Sequence, residues 1–384
     1  MIAPQMEVST PKPPPGSIVV GAHRLRFLRD GAVAFPAMLA AIEGAKREVL
    51  LEIYWLGADR IGARFRSALI ERARAGVRVA LVFDGLGSFE MPRSFLAPLV
   101  EGGVEVHEFA PLSPFQPRFR AGRIRFRDHR KILVVDGEVG FAGGINIGEL
   151  WAPPDEPWRA FRDDAIEIRG PAVSLLRATC LATLRHCRGL PATDAPDPNA
   201  VDPLVRVLTN RLERHASRTI RRTYLVRLRR ARRSIDISSA YLLPGPLFLH
   251  AMRAAVRRGV RVRVLVPEHS DVPLVGLAMQ SILGRLLVAG VEVYAYTPRV
   301  LHTKTAVFDG RFTFIGSHNL DSLSLSHNLE CNVAVDSEDF ARGVLDAFED
   351  DLTQARRMDL ASWQRRSLPL RVLAWVAAFF RALL

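Results

Sequence analysis

The chain has 384 residues, enough for more than one core, and its 48% hydrophobic and 24% charged content is that of a globular chain rather than a disordered one. An excess of 53 Lys and Arg over 40 Asp and Glu leaves it at +13. That charge favours an anionic partner without choosing among nucleic acid, an acidic membrane surface and a phosphorylated substrate.

Residues 1–19, with Pro11 and Pro13 to Pro15 and no apolar signal region, read as an extended leader. No segment reaches the ~20 apolar residues that span a bilayer. Residues 41–85 then read as helix, strand, loop, helix, strand. The second helix is an Arg/Ala-rich amphipathic one that runs into Gly-Val-Arg-Val. "GGVEVHEFAP" (102–111) follows as a further strand. "HRKILVVDGEVGFAGGINIG" (129–148) sets His129 and Lys131 two apart, ahead of an apolar run. Cys180 and Cys187 fall in a helical stretch and read as small core residues. With Cys331 they match no metal spacing, which points to unpaired, reduced thiols. Residues 189–203 carry four prolines and read as a linker.

The same order then recurs. Residues 226–270 repeat the helix, strand, helix, strand pattern through another Gly-Val-Arg-Val, and "AGVEVYAYTP" (289–298) answers 102–111. His302, Lys304, Asp309, Gly316 and Asn319 then stand at the spacing of His129, Lys131, Asp136, Gly143 and Asn146, with seventeen residues from histidine to asparagine in both copies. Alternating strands and helices predict an α/β fold with a largely parallel sheet. The expected organisation is the leader, a first half over 20–190, a linker over 191–203, a similar second half over 204–355, and a tail over 356–384. Two such halves pair across a pseudo-two-fold axis, so that their motifs meet at one cleft.

Residues i and i+2 of a strand share a face, so each histidine projects with its lysine. The glycines would let the backbone approach a ligand. Two imidazoles, two ammonium groups and the amides of Asn146 and Asn319 around one point suit a tetrahedral phosphate. One histidine attacks phosphorus, the other moves the proton of the alcohol, and the lysines and amides stabilise the oxygens. The lysines already supply positive charge, so neither a metal nor another cofactor is expected. A single His-x-Lys is most often chance; two copies inside a wider repeat are not.

These residues resemble the phospholipase D superfamily, whose signature is H-x-K-x4-D followed by G-(G/S)-x-N. Within it the chain is similar to bacterial cardiolipin synthases, in particular the short form without N-terminal transmembrane helices. The likeness rests on 129–148, on "GSHNLDSLSLSHNLECNVAV" (316–335) and on "RDDAIEIRGPAV" (162–173), where Phe161-Arg162-Asp163 stands for the usual Trp-(Arg/His)-Asp. It implies two α-β-α sandwich halves with the active site at their interface, and a phosphohistidine intermediate without metal. The implied catalytic set is His129, Lys131, Asp136, His302, Lys304 and Asp309, with structural ion-pair roles for the two aspartates and His129 as nucleophile. Asn146, Ser317 and Asn319 are the implied phosphate ligands. Asp163 is expected to orient His302, and Glu330 to orient His129. Gly144 stands where the second copy has Ser317, so the halves are not expected to hold phosphate identically.

The implied activity is transfer of a phosphatidyl group between two phosphatidylglycerol molecules, giving cardiolipin and glycerol. Hydrolysis by a phospholipase D or a nuclease using the same residues is the alternative, and a non-enzymatic binding module is a weaker one. The expected partners are anionic phospholipid and a membrane surface, with the enzyme peripheral on the cytoplasmic face of a bacterial inner membrane. The tail "SWQRRSLPLRVLAWVAAFFRALL" (362–384), with Trp363, Trp375 and four arginines, reads as an interfacial helix, the alternatives being a helix docked on the domain or a dimer contact. "RFRAGRIRFRDHRK" (118–131) would place basic residues, Phe119 and Phe126 beside the cleft, and 218–233 reads as a solvated basic helix. Either could contact nucleic acid instead. His318 could line the site. His107, His186, His215, His250 and His269 show no constellation. Oligomeric state is left open.

Overall fold

A computed structural model describes residues 16–113, 126–153, 155–191, 202–210, 219–321 and 328–367, together with 373, 376 and 377. Most of the leader, the basic run 118–125, His215, most of the linker and most of the apolar tail lie outside the described residues.

The first half runs β1 (Ile18–Val20), β2 (His23–Arg29), α1 (Gly31–Glu43), β3 (Glu48–Ile53), α2 (Arg60–Arg74), β4 (Arg78–Asp84), α3 (Arg93–Glu101) and β5 (Glu105–Phe109). It continues through β6 (Lys131–Val135), β7 (Val139–Gly143), β8 (Asp164–Arg169) and α4 (Val173–Cys187). The second half repeats this from β9 (Val205–Thr209): α5 (Thr219–Arg230), β10 (Ser234–Ser239), α6 (Pro246–Arg257), β11 (Arg261–Pro267), α7 (Pro273–Val288) and β12 (Glu292–Tyr296). β13 (Lys304–Phe308), β14 (Phe312–Gly316), β15 (Cys331–Asp336) and α8 (Glu338–Thr353) complete the repeat, and β16 (Ala355–Arg357) and α9 (Leu360–Gln364) follow.

Each half forms an eight-stranded sheet, in the orders β1-β2-β8-β7-β6-β3-β4-β5 and β16-β12-β11-β10-β13-β14-β15-β9. Without the edge strands β1 and β16 the two orders are the same. The sheets are mixed rather than largely parallel: only β3–β4–β5 and β10–β11–β12 pair in parallel. The reason lies at Asp136-Gly137 and Asp309-Gly310. Both residues of each pair have positive φ (54° and 68°; 55° and 69°), as a tight Asp-Gly hairpin demands, and a hairpin can only join antiparallel strands.

The central strands read as near-continuous apolar runs because both faces are covered. Val49, Leu51 and Ile53 of β3 face α1, α2 and α3, while Leu50 faces the middle of the molecule. That middle layer holds α4 and α8. Leu175, Leu176, Cys180, Leu184 and Cys187 of α4 pack in one core with Phe340, Ala341 and Val344 of α8 and with strands of both sheets. α4 also reaches β9 and α8 reaches β2, so each half leans on the other's first long strand. This reciprocity is the mark of a two-fold relation. All three cysteines are buried, and none forms a disulfide.

Candidate active site

Two short seams bring the motifs together. His129 N–H donates to the carbonyl of Leu329 (2.9 Å), and His302 N–H to the carbonyl of Arg162 (2.8 Å). Each histidine is thus clipped to the residue that precedes the other half's acid. Glu330 consequently lies against His129 Nδ1, at 3.0 and 3.2 Å from its two oxygens, and Asp163 Oδ2 lies 2.6 Å from His302 Nδ1. With Nδ1 given to a buried carboxylate, the lone pair or proton of each Nε2 is left for chemistry.

The lysines run beside their histidines. Lys131 Nζ donates to the carbonyl of His129 (2.8 Å) and sits 5.0 Å over the Tyr54 ring. Lys304 Nζ donates to the carbonyl of His302. Its approach to His302 Nδ1 (2.9 Å) is a contact rather than a bond, since that nitrogen's proton goes to Asp163. Asn146 Oδ1 accepts from Trp55 N–H (3.1 Å), which leaves its amide hydrogens for the cleft.

Burial, with Lys131 and Lys304 beside it, holds His129 well below the usual imidazole value, so it is neutral and nucleophilic near pH 7. Burial and Lys304 lower His302 as well, against the opposing pull of Asp163. Burial brings Lys131 down to about 7, opposed by Glu330, and lowers Lys304, opposed by Asp163. For Asp163 burial works upward, but Lys304, His302 and the hydrogen bonds from His302 and Trp151 overcome it and hold the carboxyl below its ordinary value.

The remaining signature residues are placed differently from expectation. Asp136 and Asp309 are far from the cleft, in the hairpins. Asp136 accepts from the backbone N–H groups of Lys46, Arg47 and Glu48, and Asp309 from those of Arg232, Arg233 and Ser234. They clamp the start of β3 and β10 through amides rather than through ion pairs between side chains. Ser317 does not line the cleft: its hydroxyl donates to Glu330 Oε2 and accepts from Cys331 N–H (3.0 Å). The glycines serve strand contact rather than ligand approach. A Cβ on Gly143 would lie 2.5 Å from the Asp164 carbonyl oxygen, and one on Gly316 2.3 Å from that of Cys331. At Gly144 a Cβ would lie 2.2 Å from Asp163 Oδ1, so the first copy has no room for the serine of the second. His318 is buried beside the site, held near 4 by burial, and does not line the cleft. Phe126 is buried against Phe109 rather than facing the cleft.

Several site residues carried no motif. Trp151 Nε1 donates to Asp163 Oδ2 (2.9 Å) and its ring stands edge-on to His302. Tyr54 packs edge-on to His129, with ring centroids 4.8 Å apart. Tyr241 donates to Asp271 (2.7 Å) at the mouth. Aligning the two repeats from β3 and β10 onward would have singled out Trp55 and Tyr241, which occupy matching positions after those strands.

The histidines face a cleft of about 460 Å³ with unlike walls. The first half contributes Tyr54, Trp55, Leu150, Trp151 and Phe161; the second contributes Tyr241, Asp271, Val272, Val275, Asn319, Asp321 and Asn328. A larger cavity, about 630 Å³ between α7 and Trp363, contains neither motif. Among the described residues no group of three or more His, Cys, Asp or Glu is placed to hold a metal ion, and no helix is long and apolar enough to cross a membrane.

Residues 38–150 and 224–352 match the family profile described as "Cardiolipin synthase, PLD-like domain". A cardiolipin synthase of a Geobacillus species is 32% identical over 369 residues, covering 94% of this chain and 73% of that one. Cardiolipin synthase A of Pseudomonas fluorescens is 33% identical over 340 residues, covering 88% and 70%. The crystal structure of a phosphatidylserine synthase from Haemophilus influenzae superposes with a TM-score of 0.71 over 94% of this chain and 95% of that one, at 12% identity, which speaks for the fold alone. The two converging motif copies, and a family match that spans both of them, make this chain a member of the cardiolipin synthase family within the phospholipase D superfamily, a phosphatidyltransferase.

Proposed function

We propose that the enzyme makes cardiolipin from two phosphatidylglycerol molecules through a phosphohistidine. The supporting observation is the pair of histidines, each backed at Nδ1 by the other half's carboxylate and both opening on one cleft. His129 Nε2 attacks phosphorus of the first lipid while His302 protonates the departing glycerol oxygen. His302 then takes the proton from a hydroxyl of the second lipid, whose oxygen attacks the phosphorus on His129 and releases its nitrogen. Lys131, Lys304, Asn146 and Asn319 meet the phosphoryl oxygens as charge develops. A bound phosphate's negative charge opposes the burial that lowers the imidazoles and ammonium groups, so the substrate itself restores the proton that His302 must donate.

Transfer rather than hydrolysis requires that water lose to the lipid hydroxyl. The aromatic wall of the first half suits this by excluding water beside His302. The reaction belongs at a membrane surface, and we place the enzyme peripherally on the cytoplasmic face of a bacterial inner membrane. Mass spectrometry of lipids after incubation with phosphatidylglycerol vesicles tests the reading. Cardiolipin with free glycerol is the expected result; phosphatidic acid alone would make the enzyme a lipase.

A further inference from the structure

We infer that the enzyme meets the bilayer with the rim of its own cleft, through apolar side chains carried by loops and first helical turns of both halves. The inference rests on the phospholipid reading of the cleft. The partner is a phospholipid surface.

The observation is where exposed apolar residues fall. In each sheet the strands that run in one direction end on the side where the histidines lie, and the described loops after those strands face the mouth. Leu86 and Phe89 follow β4, Leu150 and Trp158 follow β7, Leu247 follows β10, and Val272 and Leu274 follow β11. Phe89 and Trp158 are each 67% exposed. Leu150 and Val272 line the cleft itself, so rim and cleft are one continuous surface. The loop that carries Phe89 is fixed to the cleft wall, since Ser88 Oγ donates to the Tyr54 carbonyl (3.1 Å) and accepts from Leu56 N–H (3.2 Å). Large apolar side chains in the loops and first helical turns after four different strands have no common packing reason to be exposed at one end. Such a patch marks an interaction surface.

Its occupant follows from the cleft that opens through it. The phosphodiester of a membrane lipid can reach the histidines only if the mouth lies against the headgroups while the acyl chains stay in the bilayer. Apolar rim residues would then sit at the boundary between headgroup and chain. Among the described residues, arginines near this rim are paired: Arg60 with Glu149 and Asp155 (2.7 and 2.6 Å), Arg159 with Glu156 (3.0 Å), and Arg299 with Asp30 (2.6 Å).

The three native cysteines are buried, so single exposed cysteines can be labelled selectively. Full-length Phe89→Cys, Leu274→Cys and Val288→Cys would carry an environment-sensitive fluorophore; Val288, 67% exposed at the far end of α7, is the control. With vesicles of phosphatidylcholine alone and of phosphatidylcholine with phosphatidylglycerol, the first two labels should shift to the blue and the third should not. Flotation of a Phe89→Ser/Trp158→Ser/Leu274→Ser variant should show vesicle affinity at least ~10-fold weaker than wild type. Its turnover of short-chain, monomeric phosphatidylglycerol should be kept, which shows that it is folded. Wild-type affinity for vesicles of phosphatidylcholine alone should change by no more than roughly 3-fold when salt is raised about tenfold, because apolar contact is not screened. Equal shifts at Val288, wild-type affinity in the triple variant, collapse of binding to phosphatidylcholine vesicles in high salt, or label shifts without lipid caused by association of copies would each overturn the inference. Flotation does not depend on turnover, so failure to make cardiolipin would be read separately.

Discussion

The two halves share a strand order, a pair of Asp-Gly hairpins and a His-x-Lys strand, yet they hold their acids differently. Glu330 is long, comes from the second half, and is fixed by the Ser317 hydroxyl before it meets His129. Asp163 is shorter, comes from the first half, fills the space beside Gly144, and is fixed by the Trp151 indole before it meets His302. One carboxylate is steadied by its own strand neighbour and the other by an aromatic residue of the cleft wall. The lesson is that symmetry of backbone does not impose symmetry of chemistry: a proton shuttle and a nucleophile need different surroundings, and the loops supply them.

The sharpest way to break this comparison is to remove each histidine. His129→Ala and His302→Ala should each cost ~10⁴-fold or more in transfer between lipids. A donor with a nitrophenolate leaving group, which needs no proton, separates them: His302→Ala should release a stoichiometric burst of nitrophenolate and His129→Ala none. The reverse pattern would move the nucleophile to the second half. Next come the carboxylates. Glu330→Gln and Asp163→Asn leave shape but remove charge, and each should lower kcat by ~10³-fold, as loss of an orienting acid does in comparable dyads.

Exchanging the supports tests the asymmetry itself. Gly144→Ser forces a Cβ into the Asp163 carboxylate and should cost ~10²-fold in kcat, whereas Ser317→Gly removes one hydrogen bond to Glu330 and should cost ~10-fold or less. Equal losses would mean that the two supports are interchangeable. A smaller effect is set by Lys131, which sits at about 7 in the free enzyme. An oxyanion such as tungstate favours its charged form, so above pH 7 binding takes up a proton and affinity falls as pH rises, by at most ~10-fold per unit for this one group. Calorimetry in buffers of different ionisation enthalpy at pH 8 would read that proton. Smallest for chemistry are the hairpin aspartates. Asp136→Ala should cost about 1–3 kcal/mol of stability through lost amide bonds, visible as a lower Tm, while the folded enzyme keeps its kcat.

Much of this organisation was legible because repetition carries more information than any one motif. The spacing from His129 to Asn146 and from His302 to Asn319 identified equivalent strands, and equivalent strands implied a shared cleft. What stayed hidden depended on contacts between residues far apart in the chain. That Asp136 and Asp309 clamp β3 and β10 through backbone amides rather than through ion pairs follows from partners some ninety or eighty residues away, which spacing within a motif cannot register. Ser317 looked like a phosphate ligand because its partner, Glu330, was not known to lie behind it. Trp151 and Tyr54 belong to no pattern, and their importance comes only from the faces they turn to His302 and His129. The middle layer of α4 and α8 was likewise invisible, since an apolar helix does not say which of two sheets it will cover.

The crossed seams have an evolutionary reading. Each half bears an acid that serves the other half's histidine, so a lone half would be chemically incomplete, and a single-repeat ancestor could have worked only as a pair of identical subunits. In such a pair any change near one acid would have been made near both. Fusion of two copies into one gene lifted that constraint, because one codon could now alter one site alone. Gly144 opposite Ser317, and Asp163 opposite Glu330, are the kind of divergence that a duplicated and joined chain can accumulate.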